Sequence, residues 1–552
     1  MSRTVLVKPH TFLPALFTLF LSVLVTPSQE LTVSDVQQIM SRAVSKAVAM
    51  NLKVTVSVTD DEGNLLGTFQ MTGAPATTLI RSVGRAGQGL ENISVPAAAA
   101  ANSKAGTAGI FSTSGNAFTT RTAGFIIQEH FPPGIDNRPG GPLYGVQFST
   151  LPCSDIAIAS LPLGLSADPG GIPLYKNGVA VGGIGVEGDG LYTVDRIPTD
   201  DDQTAEEIIA AYGSGGFEAP ALIRADNILV EGIRLPFANV PMLETVPLIP
   251  FGSLPGVVTS VVRAAPPTDF VPGTLGGING QYSSRFPTVA GSALTAAEVQ
   301  QILSAAVTLA NRVRAAIRQP IGSNARVTIA VVDTDGDVLG IFRQPDAPVF
   351  GFDVSVQKAR TSNFFARSDA GTKLSSAGFG SYVTRASTDG LGLNGGIAFS
   401  DRAIGFMHRP LFPDGINGTT AGPFSTQLAD WSPFNNGLQL DVISSALLSP
   451  PMMCKSAAFL RRANLAPCPC SSINEVRNGL QIFAGGLPIY RGGVLIGAVG
   501  VSGDGIDQDD IIAAAGADAF APAAPIRSDQ IFVRGVRLPF LKFPARPFLD
   551  SP

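Results

Sequence analysis

The sequence predicts an α+β fold built as two tandem domains, each an antiparallel sheet flanked by helices. Two observations predict it. The first is that the chain repeats itself in order. Leu31-Thr-Val-Ser-Asp-Val-Gln-Gln-Ile-Met40 returns as Leu294-Thr-Ala-Ala-Glu-Val-Gln-Gln-Ile-Leu303, and Val54-Thr-Val-Ser-Val-Thr-Asp60 as Val327-Thr-Ile-Ala-Val-Val-Asp333. Gly170-Gly-Ile-Pro-Leu-Tyr175 returns as Gly485-Gly-Leu-Pro-Ile-Tyr490, and Gly232-Ile-Arg-Leu-Pro-Phe237 as Gly535-Val-Arg-Leu-Pro-Phe540. A unit of roughly 200–250 residues has been duplicated, which is the size of a domain and too long for a solenoid repeat. The second observation is that each copy reads helix, hairpin, helix, loops, hairpin, helix. Hairpins force antiparallel pairing, so helices pack on an antiparallel sheet.

Each copy opens with a helix capped by Thr32 or Thr295, with Asp35 or Glu298 three residues on. Val36, Ile39, Met40, Ala43, Val44 and Ala47 then recur at helical spacing, matched by Val299, Ile302, Leu303, Ala306, Val307 and Ala310. Val54, Val56 and Val58 alternate with Thr55, Ser57 and Thr59, the pattern of a half-buried strand. Turns at Asp61-Glu-Gly-Asn64 and Thr334-Asp-Gly-Asp337 close the first hairpins. A second helix is expected near 78–90 and 352–366. The middle of each copy is long and Gly/Ser-rich. It shares one island: Ala117-Phe-Thr-Thr-Arg121 with Phe131-Pro-Pro-Gly-Ile135, against Ala398-Phe-Ser-Asp-Arg402 with Phe412-Pro-Asp-Gly-Ile416. Loops of this length are usually functional or interfacial. The second hairpin turns at Asn177-Gly178 and Gly492-Gly493. A last helix holds Ile208-Ile-Ala-Ala211 and Ile511-Ile-Ala-Ala514. The boundaries read as 1–28 signal peptide, 29–241 first domain, 242–290 Pro/Gly-rich linker and 291–552 second domain.

Composition narrows the function. The chain of 552 residues is 45% hydrophobic, enough for real cores, and only 15% charged. A formal net charge of −5 and pI near 5.4 give no cationic surplus for nucleic-acid phosphates. Arg3 and Lys8, the apolar run Phe12 to Val25 and small residues before Gln29 read as a cleaved export signal. Export to a periplasmic or extracellular space is therefore expected, with no stable membrane span after cleavage. In such a space Cys454 is expected to pair with Cys468 or Cys470, leaving Cys153 without a partner in its own copy. Zinc is a weaker reading, because Cys468-Pro-Cys470 lacks the usual spacer and no His is near; the metal assignment stays unknown.

The opening helix, the Val-x-Asp-x-x-Gly-x-Leu hairpin, the helix holding Lys358-Ala359 and the Gly-rich run from Gly485 resemble the haem-degrading/GlcG-like family, which includes HbpS-type haem-binding proteins. Gln508-Asp509 before the last helix adds to the resemblance. The second copy matches better: in the first, Arg85-Ala86 stands where Lys358-Ala359 does, and Glu187 replaces Ser502. The resemblance implies small, often oligomeric α/β domains, some of which bind haem. Haem is then the leading cofactor.

Eight residues are candidates for binding it. Tyr175 and Tyr490 stand at equivalent positions, and a tyrosinate can hold haem iron, as can His. The bland reading is a strand tyrosine with its hydroxyl at the rim. His130 and His408 lie near the Phe-Pro-x-Gly-Ile segments but do not align, so a surface loop histidine is the default. Arg85 and Lys358 could meet propionates or another carboxylate, with a solvated helix cation the plainer reading; Arg121 and Arg402 are candidates for the same role because they sit in the shared loop island. Gly183-Ile-Gly-Val-Glu-Gly188 mimics a dinucleotide fingerprint, but it closes a hairpin strand, so its glycines are read as close-packing positions. No Ser-His-Asp set repeats, so no catalytic residue is assigned. The reading is an exported binder of haem or a related small molecule, with self-association expected. Two alternatives stand beside it: a non-catalytic structural or assembly protein, and an enzyme acting on haem or a small organic acid.

Overall fold

The computed structural model describes residues 30–542 apart from 160, 198–199, 243, 261, 267, 269 and 449–468. The signal segment, Cys454 and Cys468 lie outside the described residues. In the first half, α1 (Val33–Ala49) is closed at its start by a full capping box between Thr32 and Asp35. Its six predicted apolar positions are all buried. There follow β1 (Thr55–Asp60), β2 (Leu65–Met71), α2 (Ala97–Ile110), β3 (Gly171–Lys176), β4 (Val179–Glu187), α3 (Ala205–Gly213) and β5 (Gly256–Ser260). The second half begins with a hairpin, β6 (Phe270–Leu275) and β7 (Ile278–Ser283). It continues as α4 (Ala296–Ala310), β8 (Val327–Val332), β9 (Val338–Arg343), α5 (Gly351–Phe365), β10 (Gly486–Arg491), β11 (Val494–Gly503) and α6 (Ile506–Ala517).

The two sheets have one topology. The first is ordered β5-β2-β1-β4-β3 and the second β6-β7-β9-β8-β11-β10, each antiparallel throughout. Thr55 faces Glu187 as Thr328 faces Ser502. The ladder shifts at Val58/Thr59 and at Val331/Val332, and again at Leu174/Tyr175 and at Ile489/Tyr490. Shared bulges at matching residues are a stronger mark of duplication than shared elements, because each fixes register and local twist. The segment 242–290, read as a linker, supplies β5 to the first sheet and the β6–β7 hairpin to the second.

Two expectations about elements are corrected. The second helix of the first half is Ala97–Ile110, not the span near 78–90. Thr77–Ile80 is instead a short strand, and Gly84, Gly87 and Gly89 break up the stretch after it. The alanine run from Ala97 is the better helix former. β1 is buried on both faces, not half-buried: Thr55, Ser57 and Thr59 are as covered as the valines between them. The cause is three-layer packing. α1 and α3 lie on one face of the sheet and α2 on the other. Ser57 and Thr68 satisfy one another within it at 3.0 Å.

The halves are fused through their middle loops. Tyr144, Phe148 and Leu151 of the first half share a core with Phe365, Phe424 and Trp431 of the second. Ile110, Phe111 and Phe131 share another with Val349, Phe350 and Phe483. Asn137 and Asn417 exchange reciprocal bonds, each backbone amide donating to the other's side-chain oxygen at 2.8 and 3.1 Å. The disulfide is corrected too: Cys470 pairs with Cys153, across the halves, because both middle loops fold into the same core. No helix among the described residues is long and apolar enough to cross a membrane.

Candidate functional site: ionic cores beside an inter-half cavity

The glycine-rich strands β4 and β11 lie directly against helix backbones. A Cβ on Gly185 would collide with the carbonyl of Ala101, and one on Gly500 with that of Ser355. This close approach places a lysine of the helix at the end of the strand. In the second half it is Lys358. Its ammonium donates to Asp509 at 2.9 Å and to the Val501 carbonyl at 2.8 Å, with the Phe483 ring 4.5 Å away. Burial lowers the Lys358 pKa, and the nearby carboxylates of Asp509, Asp401 and Asp510 do not offset it. Burial likewise pushes Asp509 up to about 6. Asp401, fully buried beside them, is held well above the carboxylate range by the same desolvation.

In the first half the equivalent residue is Lys104, not Arg85. Lys104-Ala105 packs on Gly185 as Lys358-Ala359 packs on Gly500. Its ammonium meets Asp168 at 2.7 Å, Glu187 at 2.9 Å and Glu206 at 2.5 Å, all buried. Burial would lower the Lys104 pKa, but the three carboxylates outweigh it and hold it well above the usual range. Asp168 is raised well above its ordinary value by burial, and Glu206 to about 7. The three carboxylates lie close enough together to hold a cation; the Lys104 ammonium takes that place. Arg85 is an exposed residue whose guanidinium lies 3.1 Å from Asp430 of the other half.

Arg121 and Arg402 pin the short helices of the shared island to the last helix of each half. Arg121 binds Glu207, Asp195 and Asp202 at 2.6–3.1 Å. Arg402 binds Asp510 and Asp507, each at 2.7 Å. These are buried or half-buried cations with partners, not solvated ones.

The four predicted iron ligands are not brought together. The Tyr175 hydroxyl lies 2.8 Å from the carbonyls of both Thr113 and Asn116, and burial raises its pKa. The Tyr490 hydroxyl is buried without a hydrogen-bond partner, its pKa pushed to about 12. Neither histidine is a surface residue. His130 holds the Arg138 carbonyl through Nδ1 at 2.7 Å. His408 holds Ile404 at 2.8 Å, and burial drives its pKa to about 3, so the ring is neutral. Both are covered because the Phe-Pro-x-Gly-Ile loops lie in the seam between the halves.

A cavity of about 610 Å³ opens beside the first ionic core. Ala98, Ala99 and Asn102 of α2, Leu163 and Tyr192 line it from the first half; Phe434 and Leu447 line it from the second. The Asn102 Oδ1 and Gln147 Oε1 on its wall are buried with no hydrogen-bond partner. Tyr192 links the cavity to the core: burial raises its pKa, and Asp168, Lys104 and Glu187 of the core lie near enough to add to its electrostatics. Sequence reasoning missed Lys104, Asp168, Glu206 and Tyr192. The signal for two of them was present: Lys104-Ala105 repeats Lys358-Ala359, and the acid pair Glu206-Glu207 stands where Asp509-Asp510 does.

The family model described as haem degrading protein HbpS-like matches residues 296–405 and 452–518. Three solved structures are similar to part of the chain, each with a TM-score of 0.21. They are Klebsiella pneumoniae protein ORFY (19% identity, 41% of this chain and 90% of that one), a PduOC:heme complex (18%, 41% and 95%), and a double mutant of Streptomyces reticuli HbpS (20%, 38% and 98%). No curated protein matches the chain. The family match covers the opening helix, first hairpin, α5 and the Gly-rich hairpin of the second half, and it is this half that is similar to the HbpS-like family.

Proposed function

We propose that this is an exported binding protein that holds haem or a related small molecule in the cavity between its halves. The observation that carries the reading is the cavity: about 610 Å³, walled mainly by apolar side chains, with a few convergent unpartnered polar atoms. That is the usual make-up of a small-molecule site. Apolar walls of this kind are what a porphyrin face would meet. The predicted ligands do not fit, because Tyr175, Tyr490, His130 and His408 are absent from this cavity's lining. Among its described lining residues Tyr192 is the iron-ligating type at hand, since the Cys153 sulfur is held in the disulfide. The disulfide and the signal-like start support export, because disulfides persist in oxidising compartments.

Titration of the mature chain with haemin tests this. A saturable spectrum unlike free haemin is expected. Ala99→Trp, which fills the cavity, removes it. Tyr192→Phe changes the haemin spectrum but leaves binding of iron-free protoporphyrin unchanged. Haemin binding indifferent to Ala99→Trp contradicts the reading. One observation favours a structural or assembly role instead: each middle loop packs on the opposite half, as in Gln147 donating to the Pro433 carbonyl and Gln439 to that of Gly145. No binding of either porphyrin would leave that reading standing.

A further inference from the structure

We propose a second ligand site, separate from the inter-half cavity: a pocket for the carboxylate head of a small organic anion, present in the second half only. A pocket of about 350 Å³ is lined by three arginines, Arg402, Arg409 and Arg537, and by one acid, Asp414. Its apolar wall comes from Phe406, Ile482, Phe483, Ile506 and Leu538.

Arg409 carries the argument. It is only 9% exposed, yet its Nε and Nη1 have no hydrogen-bond partner. Asp414 is 3.5 Å from Nε, too far for a good bond, and its Oδ1 already accepts the Gly140 amide at 3.0 Å. The Arg409 guanidinium lies over the Tyr144 ring, 4.3 Å from its centroid. Asp414 answers the charge from one side but leaves these donors without a hydrogen bond, which is unfavourable until an acceptor meets them. Arg402 is held in place by Asp510 on Nε and Asp507 on Nη2. Arg537 is exposed at the mouth. A planar guanidinium fork matches a carboxylate in two parallel bonds, which selects that head group, and the apolar wall selects the body attached to it.

The first half lacks these features. The residue equivalent to Arg409 is Gln128, whose Nε2 donates to the carbonyls of Gly124 and Asp195 at 2.8 and 2.7 Å. The Val194 side chain lies against Gly124, where Gly405 lines the pocket in the second half. Among the described residues there is therefore no counterpart of this site in the first half.

Calorimetric titration of the full mature chain with benzoate, at constant ionic strength set by sodium chloride, tests the assignment. One saturable site per chain is expected. Arg537→Ala removes an exposed side chain and leaves the fold intact. Arg409→Gln installs the residue the first half already carries there. Each should weaken benzoate binding at least about tenfold, the effect of losing a charged hydrogen bond. No binding above the chloride control overturns the proposal. So does benzoate binding unchanged in both variants, or phosphate bound where benzoate is not. Haemin binding should persist in Arg537→Ala, since Arg537 lines only the smaller pocket of the two, so either site can fail without the other.

Discussion

Lys104 and Lys358 hold the same place in two copies of one fold and sit in opposite fields. Three carboxylates contact Lys104 and hold its pKa well above the usual range; burial lowers that of Lys358, which contacts Asp509 alone, with Asp401 and Asp510 acting from further off. Lys104→Met strands buried carboxylates and should cost about 3–5 kcal/mol, the penalty for removing one side of a buried ion pair. Lys358→Met should cost less, because one contacting carboxylate rather than three is left without its cation. Urea unfolding compares them, and equal costs would contradict the assignment. Arg85→Ala, at an exposed side chain, should stay within about 0.5 kcal/mol of the parent by the same measurement. His408 gives a pH prediction of definite sign. Its folded pKa of about 3 lies below the ordinary 6.5, so its contribution is present above pH 6.5 and lost as pH falls towards 3. The loss is about 1.4 kcal/mol per pH unit over that window. The parent should therefore lose stability faster than His408→Leu on acidification; parallel curves would show that the ring is protonated in the fold.

At the scale of elements, the Gly-rich hairpin is the part whose geometry admits least change. A methyl group on Gly500 meets the carbonyl of Ser355 and the amide of Ala359, and neither helix backbone can move aside. Gly500→Ala and Gly185→Ala should each destabilise by more than about 3 kcal/mol, read as a fall in thermal midpoint. A small effect would mean that α2 and α5 pack more loosely than described. Both hairpins, α1, α3 and their counterparts were legible because caps, alternation and turn pairs are local signals. The α2 position was not. Aligning Arg85 with Lys358 drew the helix too early, although the alanine run from Ala97 carries the stronger helix propensity. The burial of Thr55, Ser57 and Thr59 was hidden for another reason: polar alternation cannot show that a helix covers the second face. The cavity residues Tyr192 and Phe434 were beyond reach, since they meet only through long-range folding of dissimilar loops.

As a whole molecule, the chain is two copies joined through a seam that neither copy can form alone. Cys153–Cys470 spans 317 residues across it. From loop-closure entropy such a link is worth about 5–6 kcal/mol, so Cys153→Ser with Cys470→Ser should lower the urea midpoint markedly. Non-reducing peptide mapping should recover the Cys153–Cys470 linkage, and a Cys454–Cys470 peptide would contradict it. The sequence pointed to a loop-closing pair because Cys454, Cys468 and Cys470 are neighbours in the chain; pairing across the seam depends on both middle loops entering one core. The central claim is that a small molecule sits in that seam beside the Lys104 cluster. Crystals of the haemin complex test it most directly, through the anomalous signal of the iron. The account predicts one peak inside the cavity bounded by Ala99, Leu163, Tyr192 and Phe434. A peak beside Tyr175, Tyr490, His130 or His408, with the cavity empty, would contradict it.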